Sequence, residues 1–182
     1  MKYFAVQVRS GKEEHFLELA RQNMSRSGYT EEDCARLFWP RRSLRERRRG
    51  VVNDCVKPLY PGYIFYMGEE ISPDLHWILR RSPGFSRFLK DNRNIEPLTE
   101  NDREILTHFL RFGEVTGRSK VYFDENNRIV VVSGPMSGLE GIIERVDRRK
   151  GRAKIRLSLN NNSMLVDLAF DVIKSAEEKN GK

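Results

Sequence analysis

No stretch of the 182-residue chain approaches the ~20 consecutive apolar residues that a membrane-spanning helix requires. The N-terminal segment Met1–Val8 is short, and polar residues follow it too soon for a secretory signal. Both absences argue against a membrane or secreted protein. We therefore expect a cytoplasmic protein with no membrane partner.

Cysteine and histidine are scarce, with two and three residues respectively. Cys34 and Cys55 form no C-x-x-C pair and have no histidine at metal-ligand spacing, whereas a structural zinc site takes about four ligands. The sequence also lacks G-x-x-x-x-G-K-[ST], G-x-G-x-x-G and H-E-x-x-H, which argues against the nucleotide and metal sites that these motifs build. We therefore expect free thiols, no metal, no cofactor and no enzymatic activity.

Positive charge, in contrast, is abundant. The formal net charge is +7 and the pI is about 9.6, a balance that attracts polyanions, above all nucleic acid. The charge is concentrated in two runs: residues 41–50 hold six arginines and one glutamate, and Arg145–Arg156 holds seven basic residues and one aspartate. Runs of this kind lie in solvated loops or contact surfaces rather than on packed faces.

Strand and helix patterns alternate in the N-terminal half. Apolar strands are predicted over Tyr3–Val8 and Pro61–Met67, and apolar residues at helical spacing predict a helix over Lys12–Ser27. Ser72-Pro73 and Thr99-Glu100 are typical of helix starts, with the hydroxyl residue as N-cap. The pattern predicts an α+β domain over residues 1–112.

A polar stretch, Gly113–Asn127, follows and is the predicted linker between two domains. Beyond it the pattern is all β, which predicts a small barrel over residues 128–182. Its predicted strands are Ile129–Val132, Ile142–Val146, Arg152–Leu159 and Met164–Leu168. The third of these strands alternates cleanly, so that one side carries only apolar side chains, those of Ala153, Ile155, Leu157 and Leu159.

Several segments carry a resemblance to a known family. The run Arg128–Asp147, which contains S-G-P-x-x-G-L-E-G, resembles the KOW motif of NusG-like and ribosomal proteins. Tyr3–Gly11 resembles the opening strand and turn of the NusG N-terminal (NGN) domain, and Pro61–Phe65 resembles its P-G-Y-[IV] strand. Arg80–Leu89 resembles the family's R-x-x-x-G-[VF]-x-x-F-[LIV] stretch. Because the order and spacing agree over nearly the whole chain, it is identified as a member of the NusG-like transcription factors.

The resemblance implies a ferredoxin-like N-terminal domain that binds the clamp region of RNA polymerase, and a mobile, SH3-like KOW barrel that recruits another partner. With Ile64 in the core, Tyr63 and Phe65 would form a half-exposed aromatic pocket on the other face of their strand; the alternative is that all three are buried. Helix residues Ile105 and Phe109 border that pocket, unless their apolar stripe simply faces the core. The implied polymerase-binding residues are therefore Tyr63, Phe65, Ile105, Phe109, His76 and Trp77.

Four basic residues fall where family members reach the upstream DNA. Phosphate contacts to the non-template strand are expected from Arg9, Lys12, Arg80 and Arg81, and solvated surface charge is the alternative.

The last barrel hairpin departs from the family pattern. Housekeeping members carry an I-F-G-R-x-[ST]-P-V-E-like run that meets a ribosomal protein or a termination factor, whereas Leu159–Asp167 lacks its aromatic, glycine and arginine. We therefore predict a monomeric, specialised paralogue resembling LoaP that promotes processive antitermination by binding an RNA hairpin in the nascent leader. The predicted RNA-binding residues are Arg145, Arg148, Arg149, Lys150, Arg152, Lys154 and Arg156.

Other functions remain open from the sequence. The chain is alternatively a general elongation or pausing factor whose barrel binds a protein, or a ribosome-associated KOW protein that binds RNA. A fold-switching paralogue of the RfaH type is disfavoured by the two-residue alternation of Arg152–Leu159. The run Arg41–Arg49, with Val51-Val52 as the returning arm of a hairpin, either meets DNA or is a soluble insert, and we favour the insert.

Overall fold

The structure is a computed structural model that describes residues 1–160 and 162–174. The chain divides into two units: the first contains Met1–Pro40 and Pro58–Thr107, and the second contains Arg41–Lys57 and the chain from His108 onward. In chain order the elements are β1 (Lys2–Val8), α1 (Glu13–Arg26), α2 (Glu31–Ala35), β2 (Leu37–Phe38), β3 (Arg41–Arg48), β4 (Val51–Pro58), β5 (Tyr63–Gly68), α3 (Pro73–Arg81), β6 (Phe85–Phe88), α4 (Glu100–Leu110), β7 (Val115–Thr116), β8 (Ser119–Phe123), β9 (Ile129–Ser133), β10 (Ile143–Asp147), β11 (Arg152–Leu159) and β12 (Asn162–Val172). Within the described residues, no helix is long and apolar enough to span a membrane.

The first unit is built on a four-stranded antiparallel sheet in the order β2-β5-β1-β6. Its elements follow one another as β1, α1, β2, β5, α3 and β6, so the two central strands are the first and third of the series. This is the split β-α-β arrangement of a ferredoxin-like fold. The predicted α+β class of the N-terminal half is therefore confirmed.

One face of this sheet is covered by α1 and α3. Phe16, Ala20 and Met24 of α1 and Leu75 and Leu79 of α3 are almost completely buried against the apolar side of the strands. The spacing of three to four residues puts each set on one side of its helix, and burial of that stripe stabilises helices that would be marginal alone.

The predicted helix starts are confirmed. The Ser72 hydroxyl accepts a hydrogen bond from the amide of Leu75 at 3.2 Å, with proline in the first position of α3. The Thr99 hydroxyl accepts from the amide of Asp102 at 3.3 Å at the start of α4. Each cap satisfies a backbone donor that the first helical turn leaves without a partner.

A buried carboxylate holds the turn that leads into β5. Glu13, at the start of α1, is 3% exposed and accepts a hydrogen bond from the amide of Gly62 at 2.8 Å. Gly62 has φ +81°, and a Cβ there would lie 3.0 Å from the Ser10 hydroxyl. The P-G turn therefore requires glycine both for its backbone conformation and for its close approach to the β1 turn.

The second unit contains a five-stranded sheet in the order β10-β11-β12-β8-β9 and a three-stranded sheet in the order β4-β3-β7. We keep the name barrel, from the predicted architecture, for the five-stranded sheet and the loops that join its strands. Neighbouring strands of the larger sheet are antiparallel except for the parallel pair β12 and β8. The alternation predicted for the third barrel strand is confirmed on β11, whose buried side chains are those of Ala153, Ile155, Leu157 and Leu159.

The predicted linker is wrong for most of its length. Within Gly113–Asn127, β7 pairs with β3, and β8 pairs with both β12 and β9. Ser119 and Val121 of β8 are completely buried, so this polar stretch forms part of the second unit. Two of these partners, β3 and β12, are distant in sequence, so the local composition does not reveal the pairing.

The second difference concerns residues 41–57, which we name the insert hairpin. The chain interrupts the first unit at Pro40, forms β3 and β4, and resumes the first unit at Pro58. The insert hairpin belongs to the second unit, where β3 lies beside β12. The predicted hairpin is thus confirmed, whereas the predicted single span 1–112 for the first domain is wrong. The preference for a soluble insert over a DNA contact stays a prediction.

Candidate nucleic-acid interface

A strongly basic surface of the second unit surrounds the turn between β10 and β11, which we name the basic hairpin (Arg145–Arg156). The Asp147 carboxylate accepts a hydrogen bond from the amide of Lys150 at 3.0 Å, which orders the turn. That bond lowers the pKa of Asp147, and the nearby Lys150 and Arg145 charges add to the effect. The carboxylate therefore stays ionised and keeps the turn in place at neutral pH.

Internal ion pairs neutralise part of this surface. Arg156 donates from Nε to the Glu144 carboxylate at 2.7 Å, and this bond lowers the pKa of Glu144. Lys154 and Arg152 share the carboxylate of Asp167 at 3.2 and 3.8 Å. The three cations of β11 are thus each paired with a carboxylate.

Arg148 and Arg149 lie at the tip of the turn and are available to a ligand. Both are exposed, and among the described residues neither has a carboxylate within ion-pair distance. The Arg148 guanidinium lies 3.8 Å from the centroid of the Phe123 ring and donates to the Asn127 amide oxygen at 2.8 Å. Stacking on the ring fixes the plane of the guanidinium while leaving donors free for a phosphate or a base.

The basic hairpin borders two adjacent cavities. The larger, of about 820 Å³, is lined on one side by the insert hairpin and on the other by the barrel, and its cations are Arg45, Arg118, Arg148, Arg149, Lys150 and Arg152. The smaller, of about 240 Å³, is lined by Arg145, Lys150, Arg152 and Lys154 together with two aspartates. The structure therefore brings six of the seven predicted RNA-binding residues to the walls of one continuous region; Arg156 lines neither cavity.

Two of these cations were not among the predicted site residues. Arg45 lies in the insert hairpin and Arg118 lies in the predicted linker, so neither segment was assigned to the barrel. The cluster of arginines in residues 41–50 was a detectable signal, but its sequence neighbours do not reveal which surface it approaches.

A second cationic surface lies on α3 of the first unit. Trp77 is 54% exposed, and the guanidinium groups of Arg80 and Arg81 lie 5.7 and 5.6 Å from the centroid of its ring. His76 instead packs inward, stacked on Phe88 with 5.2 Å between ring centroids. The exposed ring and two exposed cations form a surface on which a nucleic-acid base or an acidic partner can pack.

Arg9 and Lys12, the other predicted DNA contacts, are both exposed at the turn after β1. The Arg9 amide donates to the Gly84 carbonyl at 2.9 Å, and Lys12 lies beside the same glycine. These two residues therefore flank the turn that follows α3, on the first unit.

The predicted aromatic pocket on β5 is not open. As expected, Ile64 faces the core under α1 while Phe65 points to the opposite face, but Tyr63, Ile64 and Phe65 are all buried. Phe65 is covered by Tyr60 in an edge-on contact with 5.2 Å between ring centroids, and it stacks on Phe38 at 6.0 Å. The prediction of a half-exposed pocket is therefore wrong, because neighbouring aromatic rings fill that face.

The two helix residues that were expected to border the pocket behave differently from each other. Phe109 is 1% exposed, whereas Ile105 is half-buried.

Burial raises the pKa of Tyr60, the residue that covers Phe65. Tyr60 therefore stays neutral and contributes an apolar ring to the aromatic face of β5.

The protein thus consists of a ferredoxin-like α+β unit and a β-rich unit. The basic hairpin of the second unit lines an open cavity, and this surface is suited to polyanions. The family model for the transcription termination factor NusG matches residues 1–107. The chain therefore belongs to the NusG family of transcription termination and antitermination factors, whose members are not enzymes.

The relatives match nearly end to end. The transcription termination/antitermination protein NusG of Campylobacter jejuni is 22% identical over 173 residues, which are 95% of this chain and 96% of that protein. NusG of Thermus thermophilus is 24% identical over 186 residues, covering 97% of this chain and 99% of the relative. The solved structure of Thermotoga maritima NusG aligns with a TM-score of 0.56 at 19% identity and covers 92% of this chain and 93% of that one. The likeness to the solved structure supports the fold.

Proposed function

We propose that the protein is a cytoplasmic, monomeric transcription factor that binds the clamp region of RNA polymerase through its first unit and promotes processive antitermination. In this proposal the second unit binds a hairpin in the nascent leader RNA. The observation that carries the RNA-binding half is the pair of exposed arginines at the tip of the basic hairpin, Arg148 and Arg149, beside a cavity of about 820 Å³.

Charge and shape both favour RNA as the ligand of this surface. Phosphate contacts by arginine and lysine supply most of the affinity for nucleic acid and release counterions. Structured RNA is recognised largely through its shape, its phosphates and its 2′-hydroxyls, which suits a surface whose cations are arranged around a cavity. The stacked guanidinium of Arg148 supplies a flat cation that can also pack on an unstacked base.

The polymerase-binding half of the proposal shifts from β5 to α3. Tyr63 and Phe65 are buried and Tyr60 packs on Phe65, so a partner reaches these two side chains only after their neighbours move. Trp77 is accessible without any rearrangement, and Arg80 and Arg81 give it a cationic border. In this proposal, Trp77, Arg80 and Arg81 contact polymerase and the upstream non-template DNA. Arg9 and Lys12 add further contacts from the same unit.

RNA binding is tested by measuring the affinity of the full-length chain for candidate leader hairpins and for an unrelated duplex at matched salt. The double variant Arg148→Gln/Arg149→Gln is expected to weaken hairpin binding about tenfold or more. The negative slope of the logarithm of the association constant against log salt is expected to become shallower by about 2. The matched control is Lys120→Gln/Lys174→Gln, which removes the same charge from exposed positions that line neither cavity. Equal affinity for hairpin and unrelated duplex would contradict RNA recognition.

The polymerase contact is tested by co-purification with RNA polymerase. Trp77→Ala is expected to reduce the bound fraction, whereas Val132→Ala, which truncates an equally exposed apolar side chain on the second unit, is expected to leave it unchanged. If both variants bind polymerase as well as the unmodified chain, α3 is not the contact surface.

Transcription in vitro past a terminator tests the complete function. We expect read-through only when both the protein and a template encoding the leader hairpin are present. Equal read-through without the leader would instead support the general elongation factor, whose action needs no specific RNA.

A further inference from the structure

The insert hairpin is joined to the barrel by charged side chains from both. Arg45 of β3 pairs with Asp171 of β12 at 3.2 Å and with Asp54 of β4 at 3.8 Å. Arg118 pairs with the same two carboxylates, and Arg152 of β11 donates to the main-chain carbonyl of Arg45. Two arginines and two aspartates therefore bridge the insert hairpin and the barrel within the second unit.

The cavity beside this bridge is strongly cationic. Its lining carries six arginine or lysine side chains and two carboxylates, those of Glu46 and Asp171, a net charge of +4. It also has apolar elements on both sides, since Val52 of β4 and Val172 of β12 are more than half exposed. Cations of such a wall can hold the phosphates of a nucleic-acid strand, and the two valines offer its bases an apolar surface.

Positive charge also exceeds negative charge behind the cavity wall. Arg42 is mostly buried, and burial lowers its pKa to about 10; the neighbouring Arg152 adds to the lowering, while Asp167 opposes it. Asp167 is at the same time the ion-pair partner of Arg152 and Lys154. One carboxylate thus serves three cations, and buried nitrogens of Arg42 and Arg152 have no hydrogen-bond acceptor among the described residues. The excess of cations over carboxylates therefore continues behind the wall of the cavity and adds to its attraction for a polyanion.

Lys150 and Arg152 line both this cavity and the smaller one on the other side of the basic hairpin. From these observations we infer that the insert hairpin is part of the RNA site: it closes a cationic cleft against the barrel that holds the phosphates of one RNA strand. The inference rests on the proposed binding of leader RNA and assigns to it Arg45 and Arg118 in addition to the basic hairpin. The insert hairpin, which interrupts the first unit in sequence, thereby acts with the second unit in recognition.

The chain offers a direct way to remove the insert hairpin. The amide of Leu59 donates to the carbonyl of Pro40 at 2.9 Å, so the two ends of the insertion already lie side by side. Residues 41–58 are therefore excised and replaced by two glycines, a length suited to a tight turn. Arg45→Gln is the second variant, because it changes one half-exposed side chain and leaves the backbone of the hairpin in place.

The full-length variants are titrated with the leader hairpin over a range of salt concentrations, with Lys120→Gln as the matched control. Excision is expected to weaken binding by tenfold or more. Arg45→Gln is expected to weaken binding several-fold and to make the negative slope of log K against log salt shallower by about 1. The control is expected to change the affinity by less than about twofold and the slope by less than about 0.3, since Lys120 lines neither cavity.

The outcomes separate this inference from the proposed function. If the excised and Arg45→Gln chains bind the hairpin like the unmodified chain while Arg148→Gln/Arg149→Gln still weakens binding, the insert hairpin is not part of the RNA site and the proposed function stands. If the unmodified chain shows no preference for the leader hairpin, both fall. If duplex DNA binds the cleft as tightly as RNA and loses affinity equally on excision, the assignment of the cleft to RNA is overturned.

Discussion

Replacing Gly134 by alanine tests whether the S-G-P turn holds the second unit together. Gly134 has φ +100°, a backbone conformation that side chains with a Cβ rarely adopt. A Cβ at this position would lie 2.7 Å from the Cα of Ser119 and 2.9 Å from the carbonyl oxygen of Arg118. Both atoms belong to the backbone, one at the start of β8 and the other in the residue before it. Ser119 is completely buried, and its hydroxyl accepts a hydrogen bond from the amide of Met136 at 2.9 Å.

Two costs add for this substitution. Placing a residue with a Cβ in a left-handed conformation costs about 1–2 kcal/mol. Forcing packed backbone apart by several tenths of an ångström costs about 1–3 kcal/mol more, as other overpacking changes do. We therefore expect Gly134→Ala to lower the free energy of unfolding of the second unit by about 3 kcal/mol. Gly138→Ala is the matched control: its φ is +79°, but a Cβ added there would have nothing within 4 Å, so only the first cost applies.

Native-state hydrogen exchange of the full-length chain measures both variants. A loss of about 3 kcal/mol corresponds to roughly hundredfold faster exchange for β11 and β12 amides that open only with the whole unit, because each 1.4 kcal/mol is a factor of ten. The control is expected to accelerate the same amides by about tenfold. Equal acceleration by the two variants would refute the argument that close packing of the turn on β8 matters, and no acceleration by either would refute the role of the turn altogether.

Three further substitutions test other parts of the molecule. Phe65→Ala is expected to cost about 3–5 kcal/mol of stability in urea denaturation followed by tryptophan fluorescence, which reports on the first unit because both tryptophans lie there; a loss below 1 kcal/mol would show that the ring is exposed after all. Thr30→Ala removes the capping box with Asp33 at α2, and we expect a loss of about 1 kcal/mol by the same assay, or none if α2 is dispensable. Because the hydrogen bond from Arg156 lowers the pKa of Glu144 in the folded state, its contribution is present above the ordinary value of 4.5 and is lost as pH falls through the lowered pKa. Thermal unfolding of Glu144→Gln is therefore expected to depend less on pH below about 4.5 than that of the unmodified chain, and an unchanged pH dependence would contradict the pairing.

The candidate site was partly predictable from the sequence. The excess of arginine between Arg145 and Arg156 located the basic hairpin, because charge that dense is rarely packed inside a fold. The share of that charge already neutralised was not predictable, since Glu144 and Asp167 become partners only through strand pairing. Burial of Phe65 was missed for a related reason. The ring that covers it most closely is that of Tyr60, which lies before the turn that leads into β5, and the alternation of side chains along β5 does not predict that contact.

The sequence by itself determined the features that depend on near neighbours along the chain. Side chains two residues apart lie on one face of a strand and side chains three to four apart lie on one face of a helix, so the apolar pattern of β11 and the stripe of α1 appear in the sequence. The caps at Ser72 and Thr99 are equally local, because each hydroxyl bonds an amide three residues away.

Only the tertiary structure decided which segments belong together. β8 lies in a stretch with the composition of a linker, yet it becomes a barrel strand by pairing with β12 about fifty residues further along the chain. The insert hairpin lies between two segments of the first unit, yet ion pairs of Arg45 and Arg118 join it to the barrel. Pairings over such distances are chosen by burial and charge complementarity among surfaces that exist only once the chain has folded, and they assemble the cationic cleft.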